Sequence, residues 1–326
     1  MSVSTTSGFR LVADIGGTHA RFALNTGDDH FSQPQVLTCA DYPTLEAAIR
    51  HYLIQTQTDS IVSGVFAIAT PVSSDWISMT NHHWQFSVEA IRRTLGLETL
   101  LVVNDFTALA MAIPYMGSHQ LRSLGPQLAT EKGVKGLIGA GTGLGVSAVV
   151  PCGNKWIPLT TEGGHVSLAP GDTIEIEILR RAARMFDHVS AERLVSGPGL
   201  SLLECILSEI QGAVAVTRSP VAVVAAAQSG ETIALEAVRV FTGLLGSVAG
   251  NLALTLGSTG GMYIGGGIAG RMGLLFDEAL FRERFVAKGR FRSYLSVIPT
   301  FLIADGDFPA LLGASRLLDA HYESLK

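Results

Sequence analysis

The stretch Asp14-Ile15-Gly16-Gly17-Thr18 follows a short apolar run and is the first of three glycine-rich turns in the chain. The other two are Gly139-Ala140-Gly141-Thr142-Gly143-Leu144-Gly145 and Gly265-Gly266-Gly267. A turn without Cβ atoms lets backbone N–H groups approach phosphate oxygens closely. Two of the turns also carry hydroxyl or carboxylate side chains. Together they predict a site for a nucleotide phosphate.

A chain of 326 residues is long for one hydrophobic core and predicts two domains that meet at a cleft. Hydrophobic residues make up 47% of the chain and charged residues 16%, which is typical of a compact globular protein. The formal net charge is −5 and no run of Lys or Arg occurs, so nucleic acid is not an expected partner. An anionic ligand must be held by local geometry.

Neither the cysteines nor the apolar segments indicate a secreted or membrane protein. Cys39, Cys152 and Cys205 are far apart and lack the spacing of a zinc site, which predicts free thiols. The first seven residues have neither a basic start nor an apolar stretch, so we expect a cytoplasmic location. Residues 240–270 contain no charge, but their glycines and polar residues favour a buried helix and strand over a membrane span.

Apolar strands alternate with helical patterns, which indicates an α/β fold. A hairpin is predicted over residues 9–25, and residues 136–150 repeat its pattern of apolar run, glycine turn and apolar run. We interpret the repeat as an internal duplication; the alternative is two unrelated hairpins of similar composition. Further strands are predicted at 61–69, 100–103 and 261–264, and helices at 41–53, from 87, at 173–184, 232–256 and 308–322.

The best-known nucleotide motifs do not explain the glycine turns. No lysine lies in any of them, so the P-loop pattern is absent. The segment from Gly265 to Gly270 matches G-x-G-x-x-G, but Lys288, Arg290 and Arg292 occupy the stretch where a dinucleotide fold needs an acidic residue. A Walker-type or dinucleotide site is therefore disfavoured.

Two aspartates follow apolar strands at positions suited to phosphoryl transfer. Asp14 precedes the first glycine turn and could hold Mg²⁺ through water; the alternative is that it only caps the turn. Asn104-Asp105 ends another apolar run, and ligands bind at the carboxyl ends of such strands. Asp105 is the candidate base for a substrate hydroxyl. The alternative is an N-cap of a helix that starts near Phe106.

Carboxylates and an imidazole in the second half suit a polyol substrate. Glu162 and His165 flank a Gly-Gly pair, and Glu192 lies among small residues that permit close approach of a ligand. Sugar hydroxyls donate to such acceptors. A surface salt bridge for Glu192 and a core hydrogen bond for His165 are the alternatives.

A set of ordered motifs spans nearly the whole chain. They are Asp14-Ile15-Gly16-Gly17-Thr18, Met79-Thr80-Asn81-His82 with Trp84, Val103-Asn104-Asp105-Phe106, Gly139 to Gly145, Glu162-Gly163-Gly164-His165, His188-Val189-Ser190-Ala191-Glu192-Arg193, Ser196-Gly197-Pro198-Gly199 and Gly265-Gly266-Gly267. The set resembles the bacterial glucokinases of the hexokinase superfamily, in the group without a zinc-binding cysteine cluster. His19 departs from the family pattern, in which Asn more often follows Gly-Gly-Thr.

The resemblance implies a duplicated ribonuclease H-like fold, as in actin-like ATPases, with two α/β domains flanking a cleft. The smaller domain would comprise residues 1–110 and 304–326, and the larger one residues 111–303. Domain closure over the sugar would exclude water. The resemblance also implies a homodimer that uses ATP and Mg²⁺ to phosphorylate glucose, the entry step of glycolysis.

The resemblance assigns roles to individual residues. Asp105 would be the catalytic base, with the glucose hydroxyls bound by Asn104, Glu162, His165 and Glu192. The ATP site would comprise Asp14, Gly16, Gly17, Thr18, Gly141, Thr142, Gly143, Gly265, Gly266 and Gly267. A kinase for another hexose, such as mannose or fructose, and a non-catalytic sugar sensor remain as alternatives.

Overall fold

The computed structural model describes residues 8–27, 30–126, 130, 132–215, 217–304, 306 and 308–325. The first seven residues, on which the expected location rests, lie outside these ranges. The chain divides into two compact units. Unit 1 consists of Met1–Met116 and Asp307–Lys326, and unit 2 of Gly117–Gly306.

The β-strands of the described residues are these, in chain order: β1 Phe9–Ile15, β2 His19–Asn25, β3 Phe31–Thr38, β4 Ile61–Ile68, β5 Trp76–Ser78, β6 Gln85–Ser87, β7 Thr99–Asn104, β8 Leu121–Ser123, β9 Lys135–Ala140, β10 Leu144–Cys152, β11 Lys155–Thr160, β12 Met262–Gly265 and β13 Thr300–Ile303. The α-helices are α1 Leu45–Gln55, α2 Val88–Thr94, α3 Asp105–Ala112, α4 Thr173–Ala182, α5 Ala191–Leu194, α6 Gly197–Ile210, α7 Pro220–Gln228, α8 Thr232–Leu256, α9 Gly267–Met272, α10 Glu278–Val286, α11 Arg292–Ser296 and α12 Pro309–Ser324.

The sheet of unit 1 has the strand order β3-β2-β1-β4-β7. The first three strands are antiparallel neighbours, whereas β4 and β7 run parallel to β1. Side chains of β1 enter two cores alternately: Leu11 and Ile15 pack on one face, and Val12 packs on the other with Leu311 of α12. Burial on both faces is what a near-continuous apolar strand predicts.

The sheet of unit 2 repeats this arrangement. Its order is β11-β10-β9-β12-β13-β8, in which β10 and β11 are antiparallel, β12 and β13 run parallel to β9, and β8 is an added antiparallel edge strand. The predicted hairpins at 9–25 and 136–150 are therefore β1–β2 and β9–β10, which occupy equivalent positions in the two sheets. The shared strand order and directions confirm the duplication and exclude two unrelated hairpins.

The uncharged segment folds as a buried helix and strand, as predicted. One helix of the described residues, α8, is long and apolar enough to cross a membrane, but 78% of its most apolar window is buried inside the protein. Its glycines face a neighbouring helix: a Cβ at Gly246 would collide with the carbonyl oxygen of Phe281 in α10. The segment is therefore the central core helix of unit 2.

Candidate active site

Parallel strands bring the polar residues of unit 1 to one edge of its sheet. Asp14 of β1 is in register with Ala67 of β4, which in turn pairs with Val103 of β7. Asn104 is the last residue of β7, and Asp105 begins α3 directly after it. The two candidate aspartates thus lie at the carboxyl ends of β1 and β7, the side of an α/β sheet where ligands usually bind.

Asn104 caps α3 and also orients Asp105. Its Oδ1 accepts from the backbone N–H groups of Phe106 at 3.0 Å and Thr107 at 3.3 Å. Its Nδ2 donates to Asp105 Oδ1 at 3.1 Å and to the carbonyl oxygen of Thr70 at 3.4 Å. The alternative that Asp105 caps the helix is wrong, because Asn104 occupies the N-cap. The Asn104 amide thus already forms four hydrogen bonds, so a sugar hydroxyl bound there would have to share one of its atoms with an existing partner.

Asp105 has the electrostatics of a group that exchanges protons near neutral pH. Burial raises its pKa to about 7, the nearby charge of Asp14 adds to the rise, and hydrogen bonds from Phe106 and Asn104 oppose it. Both hydrogen bonds described for its carboxylate go to Oδ1, so that Oδ2 remains for a ligand. A base is most effective when its pKa lies near the working pH. Asp105 meets that condition.

Asp14 is held by an ion pair and not by the turn that it precedes. Its Oδ2 accepts from Arg21 Nη1 at 3.0 Å, and its side chain is 18% exposed. Burial raises the pKa of Asp14, while the charge and hydrogen bond of Arg21 lower it. Oδ1 remains as the oxygen available to a water-bound cation.

The first glycine turn, between β1 and β2, is closely packed. Gly16 donates its N–H to the carbonyl oxygen of His19 at 2.9 Å, and Cys39 donates its N–H to the carbonyl oxygen of Thr18 at 2.9 Å. A Cβ at Gly17 would lie 2.8 Å from the carbonyl oxygen of Asn81. Thr18 is exposed. Glycine at 17 is thus required by the approach of the Asn81 backbone.

The second and third glycine turns meet at the corresponding edge of unit 2. Gly139 of β9 pairs with Gly265 of β12, and a Cβ on Gly139 would lie 2.6 Å from the Gly265 carbonyl carbon. Gly266 has a φ of +78° and lies against the carbonyl of Ala140. By contrast, no heavy atom lies within 4 Å of a Cβ built on Gly141. The second turn therefore leaves open space at Gly141, whereas a Cβ at Gly143 would lie 2.5 Å from Glu192 Oε2.

The three candidate sugar ligands of unit 2 form a cluster. His165 lies between two carboxylates: Nε2 is 3.9 Å from Glu162 Oε2, and Nδ1 is 3.9 Å from Glu192 Oε1. Glu192 Oε2 accepts the N–H of Leu144 at 2.8 Å, which ties the cluster to the glycine turn. The His165 side chain is 57% exposed, which does not fit a core histidine.

A cavity of about 460 Å³ adjoins this cluster. Its lining includes two of the candidate sugar ligands and comprises His165, Met185, Phe186, Asp187, His188, Ser190, Glu192 and Arg193. The cavity is therefore large enough for a small polar ligand and is lined with hydrogen-bonding groups.

Some residues beside the candidate site were not predicted. Thr70 accepts from Asn104, and Cys39 fixes Thr18. Thr70 comes shortly after the apolar strand β4, in the same way that Asn104 ends β7, and this signal could have identified it. Cys39 contacts the turn through a long-range hydrogen bond that no local pattern reveals.

Two copies of one sheet topology, each with a glycine turn inside its equivalent hairpin (β1–β2 and β9–β10), define the duplicated ribonuclease H-like class of ATPases and sugar kinases. The predicted α/β class with a duplicated ribonuclease H-like fold is confirmed. Within this class the chain belongs to the glucokinase family, because the family model described as Glucokinase matches residues 11–321.

Similar proteins agree with this assignment. The bifunctional protein glk of Burkholderia lata is 49% identical over 312 residues, which are 95% of this chain and 48% of that protein. The glucokinase of Neisseria meningitidis serogroup C is 45% identical over 317 residues, or 97% of this chain and 96% of that protein. A crystal structure of a glucokinase from an Antarctic psychrotroph has a TM-score of 0.87 at 34% identity, covering 96% of this chain and 99% of that one. The chain thus spans about half the length of the Burkholderia relative.

Proposed function

We propose that this chain transfers the γ-phosphoryl group of ATP to the 6-hydroxyl of glucose and releases glucose 6-phosphate and ADP, the entry step of glycolysis. The observation that carries the proposal is the environment of the Asp105 carboxylate. Its carboxylate lies at the carboxyl edge of the unit 1 sheet, Asn104 and Phe106 hold Oδ1, and its pKa is raised to about 7. Membership of the glucokinase family supports the choice of glucose.

Asp105 accepts the proton of the 6-hydroxyl as the oxygen bonds to the γ-phosphorus and the bond to the β-phosphate oxygen breaks. General-base catalysis of this kind is worth about 10²–10⁴ in rate. The sugar hydroxyls are bound by Asn104, Glu162, His165 and Glu192, because these side chains supply carboxylate, amide and imidazole groups for hydrogen bonds.

The ATP phosphates are bound by backbone N–H groups of the glycine turns at 16–18 and 141–143, other than those of Gly16 and Gly141, which donate within their own turns. Residues 265–267 approach the adenosine. The open space at Gly141 supports this assignment, since packing alone does not explain its lack of a side chain. Thr18 and Thr142 add exposed hydroxyls.

Mg²⁺ fits the donor set of unit 1. Asp14 presents one carboxylate oxygen beside the first glycine turn, and Mg²⁺ is commonly bound by one or two carboxylates, waters and substrate phosphates. No group of three or more His, Cys, Asp and Glu residues that could hold a metal occurs among the described residues. When bound, Mg²⁺ would neutralise phosphate charge. We also propose a cytoplasmic homodimer, an assembly that sedimentation equilibrium would test.

The test is ATP-dependent phosphorylation of glucose, mannose and fructose, with and without Mg²⁺, by wild type and Asp105→Asn. We expect a preference for glucose, dependence on Mg²⁺, and a kcat lowered about a hundredfold or more in the variant. Asp277→Asn is the matched control, because Asp277 caps α10 and asparagine caps helices equally well. Near-normal turnover by Asp105→Asn would assign the base elsewhere, and saturable sugar binding without turnover would favour a sensor.

A further inference from the structure

The loop between β5 and β6 is attached to the loop after β4 through two threonine hydroxyls. Thr80 Oγ1 lies 2.9 Å from Thr70 Oγ1, and Thr70 Oγ1 lies 3.3 Å from the carbonyl oxygen of Ser78, to which it donates. Thr70 is 5% exposed, so its hydroxyl is shielded from water, whereas Thr80 is the exposed partner of the contact. The two loops are therefore fixed to each other at Thr70.

The backbone of Thr70 reaches the candidate base through one side chain. Its carbonyl oxygen accepts from Asn104 Nδ2 at 3.4 Å, and the same nitrogen donates to Asp105 Oδ1 at 3.1 Å. A displacement of the Thr70 carbonyl would turn the Asn104 amide and change its hydrogen bond to Asp105. The position of the carboxylate thus depends on the loop that carries Thr70.

The β5–β6 loop also lies against the first glycine turn. Asn81, which directly follows Thr80, has its carbonyl oxygen 2.8 Å and its Cβ 3.0 Å from where a Cβ on Gly17 would lie. The β5–β6 loop therefore contacts the first glycine turn through Asn81. One residue earlier, Thr80 contacts Thr70, whose carbonyl oxygen accepts from Asn104.

We propose that Thr70 and Thr80 are a pair of positioning residues that fix the position of the Asp105 carboxylate relative to the first glycine turn. Neither residue touches reacting atoms; they act through Asn104 on one side and Asn81 on the other. The inference rests on the proposed function, because it concerns the geometry of phosphoryl transfer. Phosphoryl transfer depends mainly on positioning and electrostatics, so a small displacement of the base lowers the rate of the chemical step.

The experiment compares Thr80→Val, which removes the hydroxyl at nearly constant volume, with Thr80→Ser, which keeps it. Thr58→Val is the matched control, since Thr58 Oγ1 forms an equivalent 2.9 Å contact with Thr56 Oγ1 at the end of α1. For each variant we would measure kcat, KM for glucose, KM for ATP and the midpoint of thermal unfolding.

We expect Thr80→Val to lower kcat about five- to tenfold and to change either KM less than about twofold, since the binding groups remain. Thr80→Ser should restore kcat, and Thr58→Val should leave it unchanged even if its unfolding midpoint falls as much. Equal kcat for wild type and Thr80→Val overturns the inference but not the proposed function. A wild-type protein that does not phosphorylate glucose overturns both.

Discussion

Asp105 is the residue on which the proposed chemistry depends, and its raised pKa determines how activity should vary with pH. Only the carboxylate form can accept a proton, so kcat/KM should fall as the pH drops below about 7, where burial and the charge of Asp14 favour the protonated form. A pH–rate profile of kcat/KM for glucose between pH 5.5 and 9 measures this. A flat profile across that range would contradict the raised pKa.

The same raised pKa affects stability in the opposite direction: activity should rise with pH, whereas stability should fall. The folded protein binds a proton at Asp105 more tightly than the unfolded chain does, because the carboxyl pKa in unfolded chains is about 4. The stabilising contribution is therefore complete at low pH and is lost as the pH rises through about 7. Asp105→Asn removes this loss, so it should raise the unfolding midpoint more at pH 8 than at pH 5.

The first two glycine turns differ in how tightly they are packed, although their sequences look alike. The turn between β1 and β2 is packed against Asn81 at Gly17, whereas the turn between β9 and β10 is open at Gly141. Gly17→Ala should therefore lower the free energy of unfolding by about 1–3 kcal/mol through overpacking. Gly141→Ala should leave it within about 0.5 kcal/mol of wild type.

The same pair of variants separates packing from ligand binding. A methyl group at position 141 occupies the space assigned to a phosphate, so we expect the KM for ATP to rise about tenfold, equivalent to about 1.4 kcal/mol. Urea denaturation and steady-state kinetics on both variants give the two quantities. Unchanged KM values for ATP in Gly141→Ala would remove this turn from the phosphate site.

The elements that sequence analysis predicted are those with strong local signals. Apolar runs bounded by glycine turns gave both hairpins, and a polar pair after an apolar run located Asn104 and Asp105. The strand β3 was missed because it lies at the edge of its sheet, contains Pro34 and alternates only weakly between buried and exposed positions. Asn104 and Asp105 are both competent N-caps, so the sequence did not show which of them caps α3.

Contacts between distant segments explain why the surroundings of the site could not be predicted. The approach of Asn81 to Gly17 and the hydroxyl contact of Thr70 with Thr80 depend on how the β5–β6 loop folds. The central strands β4, β9 and β12 could be predicted from composition because all of their residues except Val62 are buried. The long-range contacts that surround the site have no such local pattern.

At the scale of the whole molecule, each unit has its own sheet and its own buried core, and the proposed ligands are distributed over both units. A ligand that binds only the folded state stabilises it by mass action, by about 2.7 kcal/mol at a hundred times its Kd. D-glucose at that concentration should raise the thermal unfolding midpoint by several degrees, on the order of 2–4 °C per kcal/mol. L-glucose has the same composition and the opposite handedness, so it should leave the midpoint unchanged.

Hydrogen exchange locates the stabilisation that thermal unfolding only detects. We expect D-glucose to slow exchange at the peptides that contain Asn104 and Asp105 and at those that contain Glu162, His165 and Glu192. The side chains of these residues are the proposed sugar ligands, so the bound sugar should reduce local opening of their backbone. Peptides of α12 and of α8 serve as internal controls, since neither helix contains a proposed ligand. Protection at the peptides of unit 1 without protection at those of unit 2 would exclude Glu162, His165 and Glu192 from the sugar site, while leaving Asp105 as the candidate base.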